Sequence, residues 1–372
     1  MANDCINVLV ISTNGLLKDG ITAWLVATFG AMDLDGLSVA TVAYDDAERS
    51  VIEDVEAAGV EVVTLPSRQH NLTAYSRALR CLLMSRHFEV VHVCCSSALA
   101  AIELFQATRN GVEMRIAHSH NTTCSHKIAN FLLNPLFQSS LTDRYACGRD
   151  AGKWLFGNRP FTVIPNGKKL PAYAFNPQAR KAVREELGLT ESETAFGHVG
   201  GFNEQKNHVK LVEVFAELYR RNSARRLFLI GEGHLIPEIK EKTEELGVAE
   251  AVRFLGRRDD VPRLLNGLDC MVFPSLYEGF PNVVLEWQLN GLPVVMSDAI
   301  TDECAITALV SQVSLEADVN DWADTVEHSM TNINRMDESL SACKRAKSAG
   351  YDINENATML RRLYFEGVGK CK

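Results

Sequence analysis

Paired cysteines, a membrane-length apolar run, a basic excess and a dinucleotide fingerprint are all missing from this chain. The ten cysteines are scattered apart from the adjacent Cys94 and Cys95, with no C-x-x-C and no Cys/His grouping at zinc-ligand spacing. That excludes a disulfide framework and fits a reducing, cytoplasmic compartment. No stretch approaches membrane-spanning length, and MANDCINVLVIST has neither a basic n-region nor a cleavage site, so neither secretion nor membrane insertion is expected. A formal net charge of −9 argues against general nucleic-acid binding, which needs a basic surface. With only 11 prolines, no low-complexity tract and no internal repeat, disorder and repeat arrays are excluded as well. The absence of G-x-G-x-x-G counts against a dinucleotide cofactor and a nicotinamide oxidoreductase.

What is present is a length of 372 residues, too long for one ordinary core, and an alternation of short β-branched runs with amphipathic stretches. The first half reads as strands at INVLVIS, LSVATVAY, VEVVTLP, EVVHVCC, MRIAHSH, DRYACG and FTVIPNG. A second series follows at TAFGHVGG, RLFLIGEG, AVRFLG, LDCMVFPS and LPVVMSD. Their continuous hydrophobicity implies burial on both faces, as in parallel sheets covered by helices. The expected fold is therefore α/β, two doubly wound Rossmann-like domains over residues 1–168 and 169–351, joined where Pro165 to Pro177 accumulate Pro, Gly and Asn. A last helix over about 352–372, with Met359, Leu360, Leu363 and Tyr364 as its stripe, can pack on either domain. Ligands of such sheets bind beyond the carboxyl ends of the strands, which makes a cleft between facing domains the expected site.

The stretch EGFPNVVLEWQLNG carries the clearest chemistry. Pro281 pre-sets a helical φ, Asn282 is placed to cap the first turn, and Gly291 and Pro293 end the helix. Glu278 falls in the loop before it, and Glu286 lies on the same face as Asn282. N–H groups from Gly279 to Val283 can hold phosphate oxygens, and Glu286 can accept both hydroxyls of a ribose. The plain alternative is a pair of solvated helix-start carboxylates. In GGFNEQKNH, Lys206 sits where a helix begins, an unfavourable place for a cation unless an anion answers it. In STNGLLKDGI, Gly15 and Gly20 let the backbone approach a ligand. RIAHSHNT ends a strand with His118 and His120, expected on opposite faces. Asp33 and Asp35 form a D-x-D in an acidic loop where no metal is expected. The stretch from Lys127 to Lys169 adds Arg144, Arg149, Lys153, Arg159 and Lys168 against two aspartates, a basic surface suited to anionic lipid or simply to solvent.

Glu278 and Glu286 with Gly-Phe-Pro between them resemble the E-x7-E region of retaining GT-B glycosyltransferases, the "glycosyl transferases group 1" family. The whole chain is similar to its bacterial capsular and exopolysaccharide branch, through NGLLKDGI, RIAHSHNT, IPNG, VGGFNEQKNH, LIGEGHL, VRFLGRRDDVPRLL and PSLYEGFPNVVLE in that order. The resemblance implies that Glu286 holds the ribose and Glu278 meets the donor sugar. It places the peptide groups of Gly279, Phe280, Pro281, Asn282 and Val283 by the diphosphate, Arg257 by the base, and His120, with His118 as second choice, by the sugar. It implies a nucleotide-sugar donor, UDP-linked by preference, a saccharide or lipid-linked acceptor, no cofactor, no metal and peripheral membrane contact through the N-terminal domain. In relatives the last helix crosses back to the first domain.

One departure stands out: Gly201 occupies the place of an arginine that would clamp the diphosphate with Lys206. Arg257, Arg258 and Lys18 are the candidate substitutes; without one the enzyme is slow or inactive. A sugar-nucleotide epimerase of similar fold and an inactive partner subunit are the competing readings.

Overall fold

The β-branched runs form two all-parallel sheets in the computed structural model, which describes residues 5–369. The first holds β1 (Ile6–Ser12), β2 (Leu37–Tyr44), β3 (Glu61–Leu65), β4 (Val90–Cys95), β5 (Met114–Ser119), β6 (Asp143–Ala146) and β7 (Thr162–Val163). Their order is β3-β2-β1-β4-β5-β6-β7. The second holds β8 (Thr194–Val199), β9 (Arg225–Ile230), β10 (Val252–Gly256), β11 (Cys270–Phe273), β12 (Val294–Ser297) and β13 (Val310–Val313), in the order β10-β9-β8-β11-β12-β13. The reversal between β1 and β4, and again between β8 and β11, leaves a crevice at the carboxyl ends of those strands, where such sheets receive ligands. These sheets define two Rossmann-like units, dividing the chain between Lys168 and Lys169, with the residues from Gly350 onward returning to the first unit.

Central strands are apolar throughout because helices cover both faces. β4 is buried along its whole length, as are β11 and β12. β13 is the strand the sequence reading lacks: VSQV leaves Gln312 exposed at the sheet edge, so no continuous apolar run marks it.

The helix Ile353–Gly369 packs on the first sheet, where Ala357, Leu360 and Tyr364 join Val8, Val10 and Trp24 in one core cluster. The Asn356 amide donates to the Pro165 carbonyl at 2.6 Å, fixing the chain's return. Farther along, Arg361 donates to the carbonyls of Asp33 and Asp35, so the D-x-D loop is a docking point for this helix.

In the second unit the fully buried Gln288 ties a helix to a loop. Its amide donates to the carbonyls of Val284 and Cys304, and its oxygen accepts from Ile306 N, Thr307 N and the Thr307 hydroxyl. Gln288→Leu strands these groups in the interior. It is expected to lower unfolding free energy by about 2–4 kcal/mol, read from the urea midpoint; a loss below about 0.5 kcal/mol would contradict this role.

Candidate active site

The site in the second unit grows from the two strands that flank the reversal. The chain leaves β8 through Gly200 and Gly201 and enters a 3-10 turn, Glu204–Lys206, held by Asn203, whose side chain accepts from Lys206 N. The chain leaves β11 through Pro274 and Ser275 toward Glu278. The two loops are stitched together: Leu276 N donates to the Gln205 carbonyl at 2.8 Å, and the Gln205 amide donates to the Tyr277 carbonyl at 2.9 Å. Gly231, at φ +146°, closes this region from β9, since a Cβ there would meet the Gly200 carbonyl oxygen at 2.0 Å.

Stitching brings Lys206 and Glu278 together. The ammonium lies 2.6 Å from the carboxylate, with side-chain exposures of 17 % and 9 %. The anion that answers Lys206 is therefore Glu278, and Lys206 ends the short turn rather than starting the helix His208–Arg221. The Nζ also sits 4.9 Å over the Phe273 ring, a cation–π contact that adds to its fixed position. Beneath it, His198 donates through Nδ1 to the Val272 carbonyl, 3.0 Å away, and His208 stacks on Phe202 at 4.1 Å. Burial, then the charge on Lys206, holds the His208 imidazole down to about 4; burial holds His198 well below its ordinary value.

The helix Asn282–Leu289 begins at the rim of this loop. Pro281 occupies the cap position and no side chain caps the first turn; Asn282 is the first helical residue, and its enclosed Oδ1 meets no partner. The expected Asn282 cap is thus corrected, because proline takes the cap position and turns the asparagine into the helix. One turn on, Glu286 is 8 % exposed and accepts from the Tyr173 hydroxyl, whose ionisation burial and this carboxylate both oppose. The arrangement leaves an uncapped N-terminus, with Gly279, Phe280 and Val283 around it, between two fixed carboxylates.

The substitutes for the missing arginine are placed otherwise. Arg258 is bound to Asp260 and Glu186, and Lys18 pairs with Glu48 at 2.6 Å in the first unit. Arg257 is half-exposed, with Asp259 at 4.0 Å. Gly201 itself has ordinary room: a Cβ would lie 3.5 Å from the Asn203 amide and 3.6 Å from the Glu232 carbonyl oxygen.

In the first unit, Gly15 has φ +80° and carries the Tyr44 ring 2.6 Å from where a Cβ would stand, so its packing alone requires glycine. Gly20 starts the helix Gly20–Ala31, but Asp19 caps it, accepting from Ile21 N and Thr22 N, so an anion already holds that first turn. His118 and His120 lie side by side, ring centroids 4.1 Å apart, against Trp24. Opposite faces were the wrong expectation, since residues two apart in a strand share a face. His92 Nδ1 meets the Tyr364 hydroxyl at 2.7 Å and its Nε2 meets His118 Nδ1 at 3.1 Å. His92, Cys94 and His118 offer ligand atoms within 4.8 Å of one another, a grouping that sequence spacing hides because it spans two strands. With both His92 nitrogens engaged, this is a hydrogen-bonded network.

The family model for Glycosyl transferases group 1 matches residues 193–332. EpsF of Bacillus subtilis (strain 168), named as a glycosyltransferase, is 29 % identical, with 94 % of each chain covered. The UDP-Gal:alpha-D-GlcNAc-diphosphoundecaprenol alpha-1,3-galactosyltransferase of Escherichia coli is 26 % identical over 56 % of this chain and 54 % of its own. The crystal structure of Anabaena HepE in complex with UDP superposes with a TM-score of 0.79 at 16 % identity, covering 97 % of this chain and all of that one. The chain is a glycosyltransferase of the GT-B fold.

Several residues of this transferase's candidate site escaped the sequence reading. Tyr173, Gln205, Phe273 and His208 reach the site only through long-range folding. His198 left a signal, a polar residue inside the apolar strand TAFGHV. A separate cavity of about 270 Å³ lies at the opposite, amino ends of β11 and β12, lined by Asp269, Pro293 and Arg335; its Asp269 is already bound by Arg180 and Arg184.

Because His198 and His208 stay neutral when folded, the unfolded transferase binds more protons below about pH 6.5. Stability is therefore lost as pH falls from about 6.5 toward about 4, by about 1.4 kcal/mol per pH unit for each proton taken up. Neither ring nitrogen of His208 has a partner, so His208→Phe keeps the stack on Phe202. Urea midpoints measured across this range should fall less steeply in His208→Phe than in the natural protein; parallel profiles would contradict the assignment.

Proposed function

We propose that the transferase moves a hexose from a UDP-sugar to a hydroxyl of a saccharide or lipid-linked saccharide, with retention of anomeric configuration, in surface polysaccharide synthesis. The observation that carries this reading is the Lys206–Glu278 pair beside the uncapped helix Asn282–Leu289. HepE, of the same fold, binds UDP, and the Escherichia coli relative acts by its name on a diphosphoundecaprenol-linked sugar; both support the donor and acceptor classes.

In this reading the diphosphate lies across the first turn of the helix, where amide N–H groups and the positive dipole end face it. Lys206 has three N–H donors and can serve both Glu278 and a phosphate oxygen. Glu286, oriented by Tyr173, accepts the ribose hydroxyls. Bond breaking builds positive charge on the sugar and negative charge on the leaving diphosphate, so neutralising the leaving group is the main catalytic task. Glu278 faces the sugar side, and its negative charge favours the oxocarbenium-like transition state. The departing phosphate accepts the acceptor's proton, and no side chain need act as nucleophile. No metal is required for these roles. In this reading the transferase meets a membrane surface peripherally; no helix among the described residues is long and apolar enough to cross a membrane.

Glu286→Ala is expected to weaken UDP binding by about ten- to a hundredfold in calorimetry, the loss of hydrogen bonds to a charged acceptor. Unchanged affinity would sink the assignment of this stretch. The fixed positions of Arg258 and Lys18 favour a second reading, a slow enzyme missing one cation. Gly201→Arg, which the local space admits, is then expected to raise turnover of the nucleotide sugar by about tenfold or more. No gain, or a loss, would show a site rebuilt around glycine.

A further inference from the structure

The helix Lys127–Ser140 is apolar on two sides. One side enters the core of the first unit through Leu133 and Phe137, and Asn130 anchors it by accepting from Ala98 N at 2.7 Å. The other side presents Ile128, Phe131, Leu132 and Leu136 to solvent, the first three 79 %, 77 % and 68 % exposed. Their spacing, i, i+3, i+4 and i+8, draws one continuous stripe. Single exposed apolar residues are ordinary, whereas a stripe of four on one helix marks a surface that meets an apolar phase.

The charge around the stripe says which one. Lys127 opens the helix, and Gln138 near its end accepts from Arg144 at 3.4 Å. Arg144 is disfavoured as a cation first by burial and then by the charge of Arg159 close by, which the carboxylate of Asp143 opposes. None of the ion pairs among the described residues includes Lys127, Arg144 or Arg159. Two neighbouring arginines outweigh the single acid beside them, Asp143, and Arg144 meets the helix that exposes phenylalanine and leucine; together they call for a partner that is apolar inside and anionic at its edge. A second copy meeting this face with its own would oppose like charges.

We propose that this face of the helix Lys127–Ser140 docks the transferase on an anionic lipid bilayer. The helix lies in the interfacial plane, Ile128, Phe131 and Leu132 entering the acyl boundary and Lys127, Arg144 and Arg159 meeting headgroup phosphates. The proposal rests on the peripheral association given above and identifies its surface.

The test is co-sedimentation of the full chain, without nucleotide sugar, with vesicles of phosphatidylcholine alone and with added phosphatidylglycerol. The natural chain should bind the mixed vesicles and bind neutral ones weakly. The triple variant Ile128→Ser, Phe131→Ser, Leu132→Ser should lose about tenfold or more in partitioning. Arg144→Gln with Arg159→Gln should lose roughly fivefold per charge and most of the preference for anionic lipid. No binding by the natural chain, or equal binding by the triple variant, overturns the proposal. So does a dimer in sedimentation velocity that the triple variant dissociates while vesicle binding is absent. A UDP-induced thermal shift on the same proteins reports folding and the donor site separately. A shift without vesicle binding overturns the docking surface alone; vesicle binding without a shift overturns the UDP reading and supports docking.

Discussion

A lysine ammonium brought to the end of a buried parallel sheet needs an anion within reach, and in the second unit Glu278 is that anion. With both side chains mostly withdrawn from water, each ion is costly alone and tolerable only as a pair. The pair exists because β8 and β11 are neighbours at the strand-order reversal, which puts the loops after Val199 and Phe273 side by side. Gln205 then fixes their separation through two hydrogen bonds. Everything else in the site is arranged around this contact: Phe273 beneath the ammonium, the two neutral imidazoles behind it, and the helix Asn282–Leu289 starting just past the glutamate. A phosphate bound there, as proposed, would meet a cation that is already ordered, so little side-chain entropy would remain to be lost on binding.

The same geometry separates two helix starts that look alike in sequence. The helix Gly20–Ala31 follows a glycine turn after a first strand, yet Asp19 saturates its first N–H groups. The helix Asn282–Leu289 follows a proline, which has no side-chain oxygen with which to cap. An N-terminus lacking a side-chain cap is the better anion site. Gly15 thus belongs to the packing of the first unit, with the Tyr44 ring against it, whereas Gly20 is exposed with open space around it at a helix start that Asp19 caps.

The strands and the two-sheet architecture were legible because burial on both faces demands unbroken β-branched runs, and only the polar edge strand VSQV was not. Glu278, Glu286 and Lys206 were legible as chemistry from their place near turns. Their partners were not: Lys206 and Glu278 are 72 residues apart, and Tyr173 reaches Glu286 across more than a hundred, distances that only strand order resolves. Asn282 was misread because proline displaced it from the cap, and His118 with His120 because the period of a strand was applied wrongly. The exposed stripe on Lys127–Ser140 was invisible for a different reason, since an apolar helix face looks the same in sequence whether it is buried or not.

The account stands on Lys206 serving the diphosphate rather than merely closing a loop. Calorimetry of UDP and of uridine binding to the natural chain and to Lys206→Met separates the two. The account predicts a loss of about ten- to a hundredfold for UDP, one charge-assisted contact, and little change for uridine. Equal losses for both ligands, or none for UDP, would contradict it.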